Sequence, residues 1–306
     1  MMKVTADIVM AGPAGIVANV TRPHAAPVVR SVTAALSHAG IPWLLEAATA
    51  SACPARKKGV ALDALLDRVA WLVVVGGDGT ILQTAHALGS RSLPILGVNP
   101  GGSLGFMTDT LADDLPRTLR DIAAGKFIVI QRATLETRRH RGGSPHGVQL
   151  PAALNDVVFT HAGQARLIAL DVRLDGAFFT TYSADGLIVA TATGSTAHSL
   201  SAGGPILFPS IEAMVLTPIC PHTLSNRPII LPRGCEAEVR VGTPARNVHM
   251  SVDGQPAQHL NEADRITISL GPAKIMFIHS ARRTFMRVLR ERLHWRGDLR
   301  PGSHAE

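Results

Sequence analysis

The residues best suited to chemistry lie between Leu72 and Thr80, in the segment L-V-V-V-G-G-D-G-T. Four apolar residues without polar alternation are typical of a buried strand, most often a parallel one. The glycines allow positive φ angles and let a ligand approach the main chain. The helical apolar spacing that follows places a helix N-terminus at this point. A strand that is followed by a glycine turn and the start of a helix predicts a phosphate site, built here from the backbone N–H groups of Gly76, Gly77, Gly79 and Thr80.

A carboxylate, Asp78, stands inside this predicted anion site. It would repel phosphate unless it serves a metal ion or accepts a proton from an attacking hydroxyl group. The alternative is structural, because aspartate is also a common helix cap. The Gly-Asp-Gly tripeptide alone leaves both interpretations open.

Composition limits the classes of protein that fit. A chain of 306 residues predicts two domains, and 46% hydrophobic with 4% aromatic residues fits an α/β protein. We expect no membrane span, because no run of about 20 apolar residues occurs, and no signal peptide. Three cysteines without metal-type spacing predict a reducing compartment and a cytoplasmic location. The net charge of +7 suits an anionic ligand, but no aromatic-interleaved basic patch points to nucleic acid.

Residues 3–130 alternate apolar strands with amphipathic helices, which predicts a parallel sheet covered by helices. Ligands of such sheets bind beyond the carboxyl ends of the strands. Gly12-Pro-Ala-Gly15 is interpreted as a second, weaker phosphate loop or an ordinary βα turn. The predicted strands are Asp7–Met10, Trp43–Glu46, Leu72–Val75 and Ile95–Val98, and the predicted helices are Val28–Ala39, Ala61–Arg68, Ile81–Leu88 and Leu115–Ala124.

Beyond residue 130, strand-like segments dominate. We therefore predict an α/β nucleotide-binding domain over 1–130, joined by the tail 280–306, and a β-rich domain over 131–279. The tail has Phe285, Val288, Leu289 and Leu293 on one helical face, typical of a packed closing helix. The predicted strands are Leu154–Thr160, Leu167–Leu174, Ala177–Tyr182, Leu187–Thr191, Ala237–Val241 and Arg265–Leu270; Asp175-Gly176 and Asp253-Gly254 suit tight hairpins, and Arg138–Pro145 a mobile hairpin or loop.

Three further clusters are polar. Asn155 and Asp156 pair an amide, which can read a base edge or a ribose, with a carboxylate, although for the pair alone a plain turn is the favoured interpretation. The stretch Thr191–Gly204 is rich in Gly, Ser and Thr and predicts a ligand loop entering a helix near Ser195. A hydrolase triad of Ser195, His198 and Asp185 is disfavoured, because no nucleophile elbow is present. The loop 221–228 contains His222 and Arg227. Two interpretations are open for these side chains: they contact a phosphate of a ligand, or they have a structural role.

In this order and spacing the segments resemble those of the NAD kinase family, over nearly the whole chain. Gly-Gly-Asp-Gly-Thr alone is shared with diacylglycerol, sphingosine and phosphofructo-kinases, so the later segments make the match specific. The segment Leu289–Trp295 resembles the C-terminal end of the family's members in Gram-negative bacteria. The segments are Gly76-Gly-Asp-Gly-Thr80, Leu96-Gly-Val-Asn99, Leu104-Gly-Phe106, Leu154-Asn-Asp-Val157, Asp185-Gly-Leu187, Thr193-Gly-Ser-Thr-Ala197, Leu200-Ser-Ala-Gly-Gly-Pro205, Pro221-His-Thr-Leu-Ser-Asn-Arg-Pro228, Asp253-Gly-Gln255 and Leu289-Arg-Glu-Arg-Leu-His-Trp295.

The resemblance implies ATP-dependent phosphorylation of the adenosine ribose 2′-hydroxyl of NAD, which gives NADP. It implies a Rossmann-like, phosphofructokinase-like N-terminal domain, a β-rich C-terminal sandwich domain and a homodimer or homotetramer. Mg²⁺ or another divalent metal ion would accompany ATP and neutralise the transferring phosphates. NAD and ATP are then the substrates, with neither nucleic acid nor membrane as a partner.

Matching positions imply the site residues. Asp78 would accept or orient the hydroxyl proton, and Gly76, Gly77, Gly79 and Thr80 would hold phosphate. The residues implied in NAD binding are Asp78, Gly79, Phe106, Asn155, Asp156, Arg166, Ser183, Asp185, Thr193, Thr196, Ala197, His198, Ser199, Leu200, Ser201 and Gln255.

The chain departs from the family pattern at three positions. Ala192 replaces a proline, and His198 replaces a tyrosine with an imidazole that titrates near neutral pH. Ser183 stands where an arginine is common, so a cationic contact is missing unless Arg138, Arg139 or Arg141 supplies it. The Asn99–Phe106 loop is also one residue longer than usual.

Two other classes of function remain open at this stage. A diacylglycerol-type lipid kinase shares the Gly-Gly-Asp-Gly loop but has no need of Asn155-Asp156 beside Thr193–Ala197. A non-catalytic dinucleotide-binding regulator would be expected to lose the Asp78 carboxylate, which is present.

Overall fold

The computed structural model of the chain describes residues 12–295, except for short gaps. These gaps are Pro23, 54–57, 102–104, Asp109, Gly143, Pro145, 162–166, Leu224, 243–246 and 281–283. The chain forms two compact units: an α/β unit of residues 1–87, 93–130 and 276–306, and a β-rich unit of residues 88–92 and 131–275. The two-part fold class predicted from the sequence, α/β followed by β-rich, is confirmed.

The α/β unit is built on a parallel sheet in the order β2-β1-β3-β4, and β4 also pairs with β5 and, at Phe277, with the end of the long strand Arg265–Ser280. Its strands are β1 (Ala14–Ala18), β2 (Trp43–Leu45), β3 (Trp71–Val75), β4 (Ile95–Asn99) and β5 (Thr110–Leu111). Its helices are α1 (Ala25–His38), α2 (Ala47–Ala52), α3 (Leu62–Leu66), α4 (Asp78–Leu88), α5 (Leu115–Ala123) and, near the C-terminus, α7 (Phe285–Arg292).

Helix faces at 3.6-residue spacing build the core of this unit. The α1 side chains Val28, Val29, Val32 and Leu36 are buried, and they pack in one cluster with β3, in which all five residues are buried. The closing helix α7 likewise buries Val288 and Leu289. None of the helices in the described ranges combines the length and apolar character needed to cross a membrane.

The segment Gly12–Gly15 is neither a phosphate loop nor a βα turn, because Ala14 and Gly15 lie within β1. Gly15 leaves room for the side chains of Leu72 and Val69, because a Cβ on Gly15 would lie 2.8 Å from Leu72 Cδ2 and 3.2 Å from Val69 Cγ2. The strand predicted over Asp7–Met10 lies outside the described residues. The first βα connection is therefore the turn after Ala18, at residues 19–24.

The β-rich unit contains antiparallel sheets. One has the order β13-β12-β11-β8-β15-β16, and β10, β9, β14 and β17 pair in that order in the other. The strands are β6 (Phe127–His140), β7 (Val148–Gln149), β8 (Asp156–His161), β9 (Ile168–Leu174), β10 (Ala177–Ala184), β11 (Gly186–Thr191), β12 (Ala213–Ile219), β13 (Ile229–Pro232), β14 (Ala237–Val241), β15 (Val248–Val252), β16 (Gln258–Leu260) and β17 (Arg265–Ser280); α6 (His198–Ser201) is its one named α-helix among the described residues.

Both predicted hairpin turns are present, with positive φ at Asp175, Gly176, Asp253 and Gly254. Of the hairpin or loop predicted over Arg138–Pro145, the structure has the hairpin, because Arg138 and Arg139 near the end of the long strand β6 pair antiparallel with β7. The strand β6 itself was not among the predicted strands. Arg139 is buried and its Nη2 lies 2.5 Å from Asp264 Oδ2, so a charged side chain sits inside the unit.

This ion pair yields a stability prediction. Arg139→Met leaves the Asp264 carboxylate buried beside only the Asn261 N–H, at 2.9 Å, and should lower the free energy of unfolding by about 3–5 kcal/mol. Urea denaturation of both proteins measures the loss. The matched control is Arg138→Met, because Arg138 is 54% exposed and pairs with Glu136. It should change stability by less than about 1 kcal/mol, and equal losses for the two variants would contradict the prediction.

Candidate functional site

The predicted phosphate loop connects β3 to α4. A Cβ on Gly76 would lie 2.3 Å from Thr80 Oγ1, so only glycine fits the turn. Gly77 and Gly79 face open space, since a Cβ on either residue would meet no atom within 4 Å. Their main chain is therefore accessible to a ligand at the start of an 11-residue helix.

The Asp78 carboxylate does not cap the helix that it begins. Its Oδ2 accepts from the Phe106 N–H at 2.9 Å, and its Oδ1 accepts from the Met107 N–H at 3.1 Å. A Cβ on Gly105 would lie 2.1 Å from Asp78 Oδ1, so the carboxylate occupies the space of an absent side chain. Two backbone donors thus fix the orientation of Asp78, and each oxygen retains lone-pair capacity toward the open side.

Asp78 faces a pocket of about 460 Å³ within the α/β unit. Its lining consists of main chain from two βα loops and of basic side chains. These are Gly77–Gly79, Asn99–Gly101 and Gly105, together with Arg22, His24 and Arg292. Sequence reasoning missed Arg22 and His24 because it placed the connection after the first strand at Gly12–Gly15, whereas β1 ends at Ala18. It missed Arg292 because nothing local connects the last helix with this pocket.

In the β-rich unit, one carboxylate holds the predicted Asn-Asp pair in place. Asp253 Oδ1 accepts from the N–H groups of Asn155 at 2.8 Å and Asp156 at 2.9 Å, and its Oδ2 accepts from Leu154 N–H at 2.7 Å. The Asp253 N–H donates to Asp156 O at 2.9 Å. The Asp-Gly hairpin turn was predicted, but its part in holding Asn155 was not visible in the sequence.

Asn155 is buried, and its Oδ1 has no hydrogen-bond partner within the described residues. The Thr193–Thr196 turn packs directly on its main chain, since a Cβ on Gly194 would lie 2.1 Å from Asn155 O. Thr191 Oγ1 donates to Leu154 O at 2.6 Å and ties the same two segments together. A buried amide oxygen without a partner is uncommon, and it indicates a position for a ligand donor.

The predicted helix near Ser195 is replaced by a 3₁₀ turn over Gly194–Thr196 and the four-residue α6. Ser195 is fully buried, its hydroxyl donates to Ala192 O at 2.7 Å, and it is therefore no nucleophile. Ser199 is also buried and bonds to Thr217, which leaves only its main chain for a ligand.

The remaining predicted site residues differ in exposure. Thr193 is buried; Ser183, Asp185, Thr196, Ala197 and Leu200 are half-buried; His198, Ser201, Gln255, His222 and Arg227 are exposed. Arg166 lies outside the described residues. Arg139 cannot replace the cation missing at Ser183, because Asp264 holds it inside the unit.

Burial and, as the smaller cause, the negative charge of Asp253 together raise the pKa of Asp156 from 3.8 to about 7. The folded protein therefore holds a proton that the unfolded chain releases near pH 4. The free energy of unfolding should fall as pH rises from about 4 to 7, and Asp156→Asn should remove this slope. Urea unfolding of both proteins across this pH range gives the difference, and parallel stability curves would contradict it.

The chain matches the family description "ATP-NAD kinase N-terminal domain" over residues 14–127 and "ATP-NAD kinase C-terminal domain" over residues 154–280. It is 38% identical over 280 residues to the NAD kinase of Geobacter sulfurreducens, covering 92% of this chain and 97% of that protein. It is 39% identical over 288 residues to the NAD kinase of Desulforamulus reducens, covering 93% and 98%.

Two solved structures share the fold. The crystal structure of yeast NADH kinase complexed with NADH matches with a TM-score of 0.84 and 26% identity, covering 94% of this chain and 89% of the yeast chain. The NAD kinase from Archaeoglobus fulgidus in complex with ATP matches with a TM-score of 0.70 and 26% identity, covering 92% and 97%. With both domain matches and relatives aligned over almost their whole length, this chain belongs to the ATP-NAD kinase family.

Proposed function

We propose that this chain transfers the γ-phosphoryl group of ATP to the 2′-hydroxyl of the adenosine ribose of NAD, with Asp78 as the proton acceptor. The observation that carries the proposal is the Asp78 carboxylate, held by two backbone N–H groups and facing a pocket with an accessible phosphate loop. The two solved neighbours are complexes with NADH and with ATP, which supports a dinucleotide and ATP as the substrates here.

The transfer follows from this arrangement. The main chain at Gly77 and Gly79 binds the phosphate chain at the positive end of α4. Asp78 accepts the proton of the 2′-hydroxyl while the hydroxyl oxygen forms a bond to the γ-phosphorus of ATP. At the same time the bond between the γ-phosphorus and the β,γ-bridging oxygen breaks, and ADP leaves. Because Phe106 and Met107 hold the carboxylate in advance, little orientational freedom is lost in the transition state.

The β-rich unit supplies the recognition of the dinucleotide. The Asn155 Oδ1 would accept a hydrogen bond from the ligand, which would remove the cost of a buried and unsatisfied acceptor. Asp156, protonated up to about pH 7, would offer either a donor or an acceptor. We assign the accessible parts of the neighbouring segments to the same ligand: Ser183, Asp185, Thr193, Thr196, Ala197, His198, Leu200, Ser201 and Gln255.

We further propose that Mg²⁺ or another divalent ion accompanies ATP. The described part of the chain holds no group of three His, Cys, Asp or Glu side chains that could form a metal cage. The oxygen atoms of Asp78 and Asn99 in the pocket fit a hard cation held mainly by substrate phosphates. Such an ion neutralises charge on the transferring group.

Two wider assignments complete the proposal. We propose a homodimer or homotetramer, to be measured by analytical ultracentrifugation, where a monomer would contradict it. A cytoplasmic location is supported by the three free cysteines, Cys53, Cys220 and Cys235.

The direct test is product formation. The protein is incubated with NAD, Mg²⁺ and either ATP or polyphosphate, and NADP is followed with an NADP-dependent dehydrogenase. We expect NADP to accumulate in proportion to protein. A parallel incubation with diacylglycerol examines the lipid-kinase alternative, and lipid phosphorylation without any NADP would replace the proposed function.

The role of Asp78 predicts a specific kinetic defect. Asp78→Asn should bind ATP and NAD about as well as the parent protein and lose roughly 10²–10⁴-fold in kcat. The asparagine amide leaves one of the two backbone donors without an acceptor, so stability should also fall by about 1–3 kcal/mol.

The measurements are kcat, KM and melting temperature. Asp113→Asn is the matched control, since it makes the same exchange at an exposed carboxylate of the α/β unit. Turnover of Asp78→Asn near that of Asp113→Asn would mean that Asp78 only shapes the loop.

A further inference from the structure

Three basic side chains from two distant segments of the sequence line the pocket in front of Asp78. Arg22 and His24 lie between β1 and α1, and Arg292 is the last residue of α7. Among the described residues that line the pocket, Asp78 is the only carboxylate. The side chains around the reacting group therefore present excess positive charge.

The parallel sheet brings Arg22 and His24 next to the predicted phosphate loop. β1 and β3 are adjacent parallel strands, so the connections that follow them emerge at the same edge. The Asn19 N–H donates to Val75 O at 2.9 Å, which joins the ends of the two strands directly. The turn that carries Arg22 and His24 is thus the neighbour of the Gly76–Thr80 loop.

The structure gives Arg22 and His24 no competing role. Both side chains are exposed, and neither has a hydrogen bond or ion pair within the described residues. His24 is the N-cap residue of α1, yet its side chain makes no capping bond, and the first turn of α1 contains no acidic residue. An anion in the pocket would meet the Arg22 guanidinium, the hydrogen-bonding imidazole of His24 and the positive end of a 14-residue helix.

The closing helix α7 positions the third cation. Buried Val288 and Leu289 anchor the helix, and the ring of Phe285 lies 6.4 Å from the ring of Phe106. Phe106 is the residue whose N–H holds Asp78 Oδ2. One short helix therefore packs against the loop that orients the carboxylate and also delivers Arg292 to the pocket.

We propose that Arg22, His24 and Arg292 bind the phosphate chain of the phosphoryl donor, opposite the main-chain site at Gly77 and Gly79. The inference rests on the proposed function and names the donor-binding residues of that same pocket. Guanidinium groups suit this task because each offers several N–H donors in a fixed plane to phosphate oxygens. The ligand chemistry is a linear polyphosphate, which ATP and inorganic polyphosphate share.

Binding of inorganic tripolyphosphate and of ATP, each measured by titration calorimetry, tests the proposal without turnover. Arg22→Ala and Arg292→Ala should each weaken both ligands at least about tenfold, and His24→Ala by about three- to tenfold. Arg292→Lys should bind both ligands more tightly than Arg292→Ala and more weakly than the parent protein, because lysine keeps the positive charge but lacks the planar set of guanidinium N–H donors. KM for ATP should rise in parallel, with KM for NAD unchanged.

The controls are Arg290→Ala, on the same helix, and Arg30→Ala, on α1. Both are exposed and outside the pocket, and both should bind tripolyphosphate like the parent protein. The proposal would be overturned if Arg22→Ala and Arg292→Ala bound tripolyphosphate with affinities within twofold of the controls. It would also be overturned if these variants lost affinity for ATP but not for tripolyphosphate. If the parent protein makes no NADP but binds tripolyphosphate through these arginines, the donor site stands and the proposed acceptor is wrong.

Discussion

The parallel pairing of β1, β3 and β4 is the constraint on which the chemistry of the α/β unit depends. Each strand ends at the same edge, so three connections meet there although they are far apart in the sequence. The connection after β3 provides the phosphate loop, and those after β1 and β4 provide much of the remaining wall of the pocket. None of these short loops has a core of its own, and the shared sheet edge alone brings them together.

Carboxylates that accept bonds from consecutive backbone N–H groups recur in both units. Asp78 accepts from two such groups and Asp253 from three. Asp253 acts as a support, because it fixes the main chain under Asn155. Asp78 is itself supported, because the main chain fixes its side chain. In both cases the orientation is set before a ligand arrives, which is the arrangement that favours catalysis by positioning.

The sequence predicted those parts of the fold in which local pattern and tertiary role agree. The buried strand β3, the amphipathic helices and the two Asp-Gly turns were predicted close to their observed positions. The strand β6 was missed, because the burial of Arg139 depends on Asp264, which lies 125 residues away. A charged residue with a distant partner has no local signature and is interpreted as a loop.

The same distinction applies to the sites. Asp78 was proposed from the glycines that flank it, and Asn155 from the resemblance of its segment to the family, because the Asn-Asp pair alone favoured a turn. The support that Asp253 gives to Asn155 depends on strand order. The position of Arg22, His24 and Arg292 around the pocket in front of Asp78 depends on strand order and on a helix from the other end of the chain. Pairing across the sheet decides such neighbours, and no sequence spacing encodes them.

Gly105 shows how far this dependence on space extends. The volume that a β-carbon would fill at this position is already taken by the carboxylate oxygen of Asp78. The Asp78 carboxylate and a methyl group at residue 105 therefore exclude each other. A residue without a side chain thus determines where this carboxylate stands, and under the proposed function a methyl group there would alter turnover by displacing Asp78, without changing any charge or hydrogen-bonding group.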